Sequence, residues 1–566
     1  MKTNWLITFF LFSVIWAFFN PLVNDSVNAG ISNEHTVIHI IPKPVSIEPG
    51  NGYFTVQRST VIQVFPQDPE AEQIGGYLAE LLNSSTWYSI PVVTSSEIRD
   101  NTIALRIDSS ADFEGGEEGY NLAVSKNRVE ILASSGKGLF YGIQSLRQLL
   151  SPEIEQTDPT LTPQNAIWSI PVVHIRDYPR FGYRGVLLDV GRHFFPIDVI
   201  KKQIDLIAKY KLNFFHWHLT EDQGWRIEIK KYPRLTEVGA WRDSTMTGHL
   251  KDEPRYWNGM RYGGYYTQNE IREIVAYAEK RYVTIIPEID LPGHSTAAIA
   301  AYPQFGCEPD KEYKVSTYWG VKSDIYCPSE ETFTFLEDVL TEVMDLFPGK
   351  YIHIGGDEVP KTAWENSKLA QEVIHSKGLA NEYELQSYFI RRIEEFLNSR
   401  GRQIIGWDEI LEGGLAPNAT VMSWRGTEGG IEASRMGHDV IMTPHQHVYV
   451  DYYQSPDREN EPIALGGLIT LEQIYRYEPV PEVLSDEEAK FIIGTQANIW
   501  TEYIKTGQKI EYMAYPRVIA LAEVAWTPAE KKEWEHFWNR LQSHFMRLDI
   551  LKVNYADHYK GNMDPF

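Results

Sequence analysis

The sequence has little cysteine, only two residues among 566, which rules out a disulfide-built scaffold and leaves the fold to a hydrophobic core. It is also short of positive charge. Lys plus Arg number 53 against 77 Asp plus Glu, a net charge of −24 that repels polyanions, so nucleic acid is not an expected partner. Beyond residue 30 it has no apolar run near the roughly 20 residues needed to cross a bilayer. No short repeat is visible. At 43% apolar and 23% charged residues the chain is neither disordered nor collagen-like. What it has in quantity is aromatic surface: 16 Trp, 32 Tyr and 24 Phe, suited to a core or to stacking on the apolar faces of sugars.

Three segments follow from the pattern of residues. Residues 1–29 read as a secretory signal peptide, with Lys2, an apolar run from Trp5 to Phe19, and Val27-Asn28-Ala29 as a small-residue cleavage pattern near Ala29. The run is too short for a membrane anchor, so the expectation is an exported protein, periplasmic or secreted. Cys307 and Cys327 are then candidates for a disulfide worth about 3 kcal/mol, two free buried thiols being the alternative. Residues 30–170 alternate like strands at Val37–Ile40, Tyr120–Val124 and Arg128–Leu132, then turn helical from Gly138 to Leu150, which predicts a small α+β domain. The Thr- and Pro-rich stretch from Pro152 to Pro171 reads as a linker.

From 171 to 566 short, nearly continuous apolar runs alternate with long amphipathic stretches, the mark of parallel strands buried on both faces. Eight such runs, near 186–190, 214–219, 284–290, 351–354, 403–407, 420–424, 440–443 and 492–497, predict a (β/α)8 barrel with a C-terminal helix. A doubly wound open sheet is the runner-up, weakened because no Gly-rich phosphate loop follows the first strand. Polar and aromatic residues crowd the C-terminal ends of these strands, where a barrel gathers its chemistry. They include Arg192 after the first, Glu221 and Asp222 after the second, Asp290 and His294 at the third, and Asp357 and Glu358 after the fourth. Trp407, Trp424 and Trp500 stand at three later ends.

Asp357 and Glu358 are adjacent, so they are poorly placed to flank one sugar from opposite sides as acid and nucleophile. With Glu358 as the acid, a substrate bearing a 2-acetamido group supplies its own nucleophile, the amide carbonyl oxygen. Asp357 then serves the amide nitrogen as that becomes positive. Burial beside Asp357 is expected to raise the pKa of Glu358, as an acid needs.

The motifs Tyr351-Ile-His-Ile-Gly-Gly-Asp-Glu358, His216-Trp-His-Leu-Thr220 and Asp290-Leu-Pro-Gly-His294, with Asp189–Phe194, Gly406–Glu409 and Tyr515–Trp526, together resemble the family 20 glycoside hydrolases, the β-N-acetylhexosaminidases. The resemblance runs from about Pro179 to about Pro528, and the preceding α+β segment resembles the domain that accompanies that barrel. It implies a retaining, substrate-assisted exo-hydrolase acting on terminal β-linked N-acetylglucosamine or N-acetylgalactosamine, with no cofactor and no metal. It implies Glu358 as acid and then base, Asp357 on the acetamido group, and Asp290 and His294 with a carboxylate from Glu221-Asp222 as their support. Arg192 and Glu502 would bind the 3- and 4-hydroxyls, Tyr449 the acetamido oxygen, Asp451 the 6-hydroxyl, and Trp407, Trp424 and Trp500 would line the pocket. The sequence departs from the family at Glu221, where Asp is usual, and at Gly191, where Ser or Ala is common.

Two rival readings stay open at this point. His216 and His218, at i, i+2 on one strand, could offer two ring nitrogens to a metal in a metal-dependent barrel hydrolase. A non-catalytic amino-sugar-binding protein would keep Arg192 and the tryptophans but gain nothing from Glu358.

Overall fold

The computed structural model describes residues 38–561 apart from positions 67, 98, 164 and 309; the expected signal segment, residues 1–29, lies outside the described residues. Among the described residues no helix is long and apolar enough to cross a membrane.

The first part is a seven-stranded sheet. Its strands are β1 (Ser46–Val56), β2 (Val61–Val64), β3 (Val92–Thr94), β4 (Thr102–Ile107), β5 (Tyr120–Val124), β6 (Arg128–Ala133) and β7 (Trp168–Asp177), in the order β1-β7-β5-β6-β4-β2-β3. The helix Gly136–Leu149 is started by Ser135, whose hydroxyl accepts from the Lys137 amide at 3.1 Å. It buries Leu139, Ile143 and Leu146, each contributing about 1.5–3 kcal/mol, and Phe140 packs between Tyr77 and Tyr282. β7 runs through the expected boundary at 170/171. It pairs with both β1 and β5, so the sheet extends to Asp177, and the stretch read as a linker holds the start of a strand plus two single turns at Pro152–Glu155 and Pro159–Leu161.

The second part is a closed barrel of eight parallel strands. They are β8 (Tyr183–Asp189), β9 (Phe214–His218), β10 (Thr284–Leu291), β11 (Tyr351–Gly355), β12 (Gln403–Trp407), β13 (Thr420–Ser423), β14 (Val440–Met442) and β15 (Ile492–Ile499). Pairing of Gly494 through Ile499 with Tyr183 through Leu188 closes the ring. Every residue of β8 is buried, as expected for a strand covered on both faces. Helices Ile197–Lys209, Gln268–Glu279, Glu330–Leu346 and Glu382–Ser399 occupy the predicted amphipathic stretches. Thr267 and Glu270 form a reciprocal cap at the start of the second of these.

Buried charges tie the two parts together. The Asp177 carboxylate, at the end of β7, accepts from Lys211 Nζ at 2.8 Å and Tyr120 Oη at 2.6 Å through one oxygen, and from Trp526 Nε1 at 2.9 Å through the other. Arg184 on β8 reaches both oxygens of Glu118, at 2.9 and 3.0 Å. The C-terminal helix Trp534–Ile550 returns to the first sheet, with Arg540 donating to the Ile40 carbonyl at 2.7 Å and Arg547 to that of Leu150 at 2.6 Å. Charges buried this fully persist only when paired, so the barrel and the small domain share one interior.

Of the two alternatives for Cys307 and Cys327 the structure has the free thiols, with Cys327 buried and Cys307 half-buried. The Cys327 thiol lies 3.5 Å from the Ser367 hydroxyl.

Candidate active site

The loops that follow the barrel strands converge on one mouth, and a buried carboxylate fixes two of them. Asp189 ends β8. One of its oxygens accepts from the Gly191 and Arg192 amides at 2.8 and 3.1 Å, while the other accepts from the Thr501 amide and hydroxyl at 3.0 and 2.9 Å, joining the loop after β8 to the loop after β15. Arg192 is thereby held with its guanidinium 4.9 Å above the Trp500 ring, 2.9 Å from Glu221 Oε2 and 3.6 Å from Asp189 Oδ2. Its Nη1 is buried with no hydrogen-bond partner, a donor left for a ligand oxygen.

Asp357 and Glu358 sit on a tight turn beyond β11, not on extended backbone. Gly355 and Gly356 have φ of 67° and 93°, and Glu358 itself is left-handed at 48°. Position 355 admits only glycine, because a Cβ there would lie 1.7 Å from an Asp290 oxygen as well as demand a left-handed backbone. His294, also left-handed at φ 46°, joins the two acids: its Nε2 lies 3.4 Å from Glu358 and 3.7 Å from Asp357. Its Nδ1 faces Glu221 at 2.8 Å and Asp222 at 3.2 Å. Glu221, one methylene longer than the usual Asp, is therefore the nearer carboxylate and bridges His294 to Arg192. Asp222 is shared with Thr296, whose amide and hydroxyl donate to it at 3.1 and 2.5 Å. The two departures from the family pattern touch: a Cβ on Gly191 would stand 2.4 Å from the Cβ of Glu221.

The electrostatics reverse one expectation. Burial pushes Asp357 well above the usual carboxylate range, and burial with the charge of Asp357 does the same to Asp290. Glu358 is the more open of the adjacent pair, its side chain 38% exposed against 13% for Asp357. Burial works upward on Glu358 too, but the hydrogen bond and charge of His294, reinforced by Arg192, outweigh it and hold the carboxyl below its ordinary value. Sequence reasoning placed the raised pKa on Glu358. The His294 imidazolium, held far above an ordinary imidazole mainly by Glu221 against the cost of burial, lowers both acids; it prevails at the more open Glu358 and is outweighed by burial at Asp357.

Aromatic rings wall the opposite side. Trp407 and Trp500 lie 5.8 Å apart between ring centres, Trp500 and Tyr449 6.4 Å, and Tyr449 and Trp424 6.3 Å. The Trp424 indole is anchored on Glu409 at 2.9 Å. Tyr449 is buried beside Trp500, and Asp451 is buried near Glu502; burial raises both carboxyls, Glu502 adding to the rise of Asp451.

The interior holds groups that the sequence reading did not place. His216 and His218, offered there as a metal pair, close around Glu288 together with His353 from β11. The three ligand-type atoms of His216, Glu288 and His353 lie within 4.8 Å of one another. Glu288 Oε2 is hydrogen-bonded to His218 Nδ1 at 2.5 Å and lies 3.0 Å from His216 Nε2. Interior polar residues on alternate strand positions were a readable signal, but nothing linear connects residues 216, 288 and 353.

Two family profiles match the chain. "Glycosyl hydrolase family 20, catalytic domain" covers residues 181–529, more than half of its length. The chain belongs to glycosyl hydrolase family 20. "Glycosyl hydrolase family 20, domain 2" covers residues 37–178, the sheet domain up to one residue past β7. A β-hexosaminidase of Porphyromonas gingivalis is 47% identical over 520 residues, and the match spans 92% of this chain and 64% of that relative's length. The family 20 β-N-acetylhexosaminidase of Streptomyces coelicolor superposes with a TM-score of 0.78 at 31% identity, covering 92% of this chain and 97% of that one. An exo β-N-acetylglucosaminidase of the family from Vibrio harveyi, solved in complex with N-acetylglucosamine, gives a TM-score of 0.79 at 34% identity, covering 92% and 78%.

Proposed function

We propose that this chain is an exported, exo-acting, retaining β-N-acetylhexosaminidase that cleaves terminal β-linked N-acetylglucosamine or N-acetylgalactosamine with the substrate's own amide as nucleophile. The observation that carries the reading is that Asp357 and Glu358 both stand within 3.7 Å of one nitrogen of His294. Two carboxylates on the same turn, sharing one imidazole, serve one side of a sugar, whereas a protein acid and a protein nucleophile must flank it at about 5 Å across the ring.

The sugar's 3- and 4-hydroxyls meet Arg192, whose Nη1 has no partner, and Glu502; Asp451 takes the 6-hydroxyl and Tyr449 the acetamido oxygen. The aromatic wall of Trp407, Trp424 and Trp500 packs the acetamido methyl, excludes water and brings the carbonyl oxygen to the anomeric carbon. Glu358 gives its proton to the leaving oxygen. The bond between that oxygen and the anomeric carbon breaks as the amide oxygen bonds to the same carbon, leaving a cyclic oxazolinium whose N–H is held by Asp357. Water then gives a proton to Glu358 and attacks the anomeric carbon, restoring the acetamido group with net retention.

A bound sugar answers the low pKa of Glu358. It covers a carboxyl that is 38% exposed without ligand, so the upward push of desolvation grows.

The test compares release of one chromogenic phenol from a β-N-acetylglucosaminide and from the matching β-glucoside. The first is expected to be cleaved at least about 10³-fold faster, because the intramolecular nucleophile is absent from the second. Comparable rates would end the reading.

A further inference from the structure

Glu288, on β10 inside the barrel, plays no part in the steps above and is fully buried. Four side chains from three other strands nevertheless converge on its carboxylate. From β9, His218 Nδ1 lies 2.5 Å and His216 Nε2 3.0 Å from Oε2. From β11, His353 Nδ1 lies 2.9 Å from Oε1, and from β12 the Trp407 indole N–H donates to the same oxygen at 2.9 Å. The far nitrogen of His218 stands 3.3 Å from Glu221 Oε2. Glu221 Oε1 is 2.8 Å from His294 Nδ1, and His294 Nε2 is 3.4 Å from Glu358. An unbroken file of alternating carboxylates and imidazoles thus runs from the middle of the barrel to the acid.

We infer that Glu288 is a positioning residue for Glu358: it fixes the His218 ring so that its Nε2 faces Glu221, which leaves the other oxygen of Glu221 to orient His294 toward the acid. The same carboxylate accepts from the Trp407 indole, a bond that the amide oxygen of glutamine can keep in Glu288→Gln. This positioning role rests on the reading of Glu358 as the acid.

The surroundings support the file. His216 is pushed down to about 4 by burial and stays neutral, while Glu288, Glu221 and Asp189 together outweigh burial and hold His218 well above an ordinary imidazole, Glu288 contributing most. Around Glu288 are His216, His218 and His353, with Asp290 and Asp357 beyond. Facing His218 are Glu288, Glu221 and Asp189. Facing His294 are Glu221, Asp222, Asp357 and Glu358. Of the carboxylates facing His218, Glu288 acts most strongly on it, through both its charge and a hydrogen bond. A neutral residue in its place lets His218 titrate within the ordinary imidazole range, between about pH 5 and 8.

The experiment measures kcat/KM of the full chain and of Glu288→Gln on aryl β-N-acetylglucosaminides whose leaving phenols range from 4-methoxyphenol to 2,4-dinitrophenol. A poor leaving group needs the acid and a good one does not. Glu288→Gln is expected to lose about tenfold or more on the methoxyphenyl substrate, to stay within about twofold on the dinitrophenyl one, and to show a new inflection between pH 5 and 8 in its pH–rate profile. Equal loss across the series marks a structural role and overturns the inference, as does no loss at all. His218→Gln is expected to give the same leaving-group pattern and decides the matter if Glu288→Gln does not fold. A wild-type protein that cleaves none of the series would instead refute the proposed function itself.

Discussion

Glu358→Gln is expected to lower kcat/KM on a β-N-acetylglucosaminide with a poor leaving group by roughly 10² to 10⁴-fold, the span of general acid–base catalysis, while leaving the affinity for N-acetylglucosamine within a few-fold of wild type. The side chain keeps its shape, and its neighbour His294 keeps Glu221 and Asp222 as partners at 2.8 and 3.2 Å. The proposed binding groups Arg192, Tyr449 and Trp500 are untouched. The pH dependence follows from the role. An acid must be protonated, so the wild-type rate falls as pH rises through the pKa of Glu358 in the complex, and that basic limb disappears in the variant. A sugar-binding protein without catalysis would show no turnover before or after the change. Equal turnover in the two forms would remove Glu358 from the chemistry.

Asp357→Asn is expected to cost about 10² to 10³ in kcat, comparable with removing one preorganised charge-stabilising group from an active site. Asparagine can still accept from the amide N–H but offers no negative charge to the oxazolinium. The same change is expected to stabilise the folded protein at neutral pH. A carboxyl whose pKa is raised on folding holds its proton longer in the native state than in the unfolded one, so its contribution falls as pH rises above about 4. Asp357 is such a group, raised by burial and by the nearby carboxylates Glu409 and Glu358. Replacing it removes that penalty, and the melting temperature at pH 7 should rise while activity falls, the exchange expected where function requires a strained charge. A variant that loses activity and stability together would assign Asp357 to the architecture instead.

Much of this was legible in the linear sequence, and the reasons are specific. The eight barrel strands could be found because strands covered on both faces must be almost continuously apolar, and Gln403–Trp407 coincides with its expected bounds. The site residues could be found because a barrel presents its chemistry at strand ends. Other features could not be read because they are properties of contacts. β7 was masked by the Pro- and Thr-rich stretch that leads into it, and only its pairing with β1 and β5 shows that the first sheet ends at Asp177. The raised pKa fell on Asp357 and not on Glu358 because Asp357 is the more deeply buried, 13% against 38% exposed, so that burial outweighs His294 at one and not at the other, a difference no spacing rule supplies. Glu288 looked like part of an apolar strand because its partners come from residues 216, 218, 353 and 407 on three other strands.

The departures at Gly191 and Glu221 also make physical sense together. The longer acid reaches Arg192 at 2.9 Å as well as His294, and the residue beside it has no side chain to compete for the space. In the proposed function, recognition of the sugar hydroxyls and orientation of the acid would therefore meet in a single carboxylate.

The most direct test of the central claim is the rate on aryl glycosides in which the acetamido methyl carries zero, one, two or three fluorines. Each fluorine withdraws electrons from the carbonyl oxygen and makes it a poorer nucleophile while leaving the protein unchanged. If the amide attacks the anomeric carbon, kcat/KM falls steeply and steadily along the series. Rates that stay level, with a sugar recovered as an ester of an Asp or Glu side chain, would show that the protein supplies the nucleophile and would contradict the account.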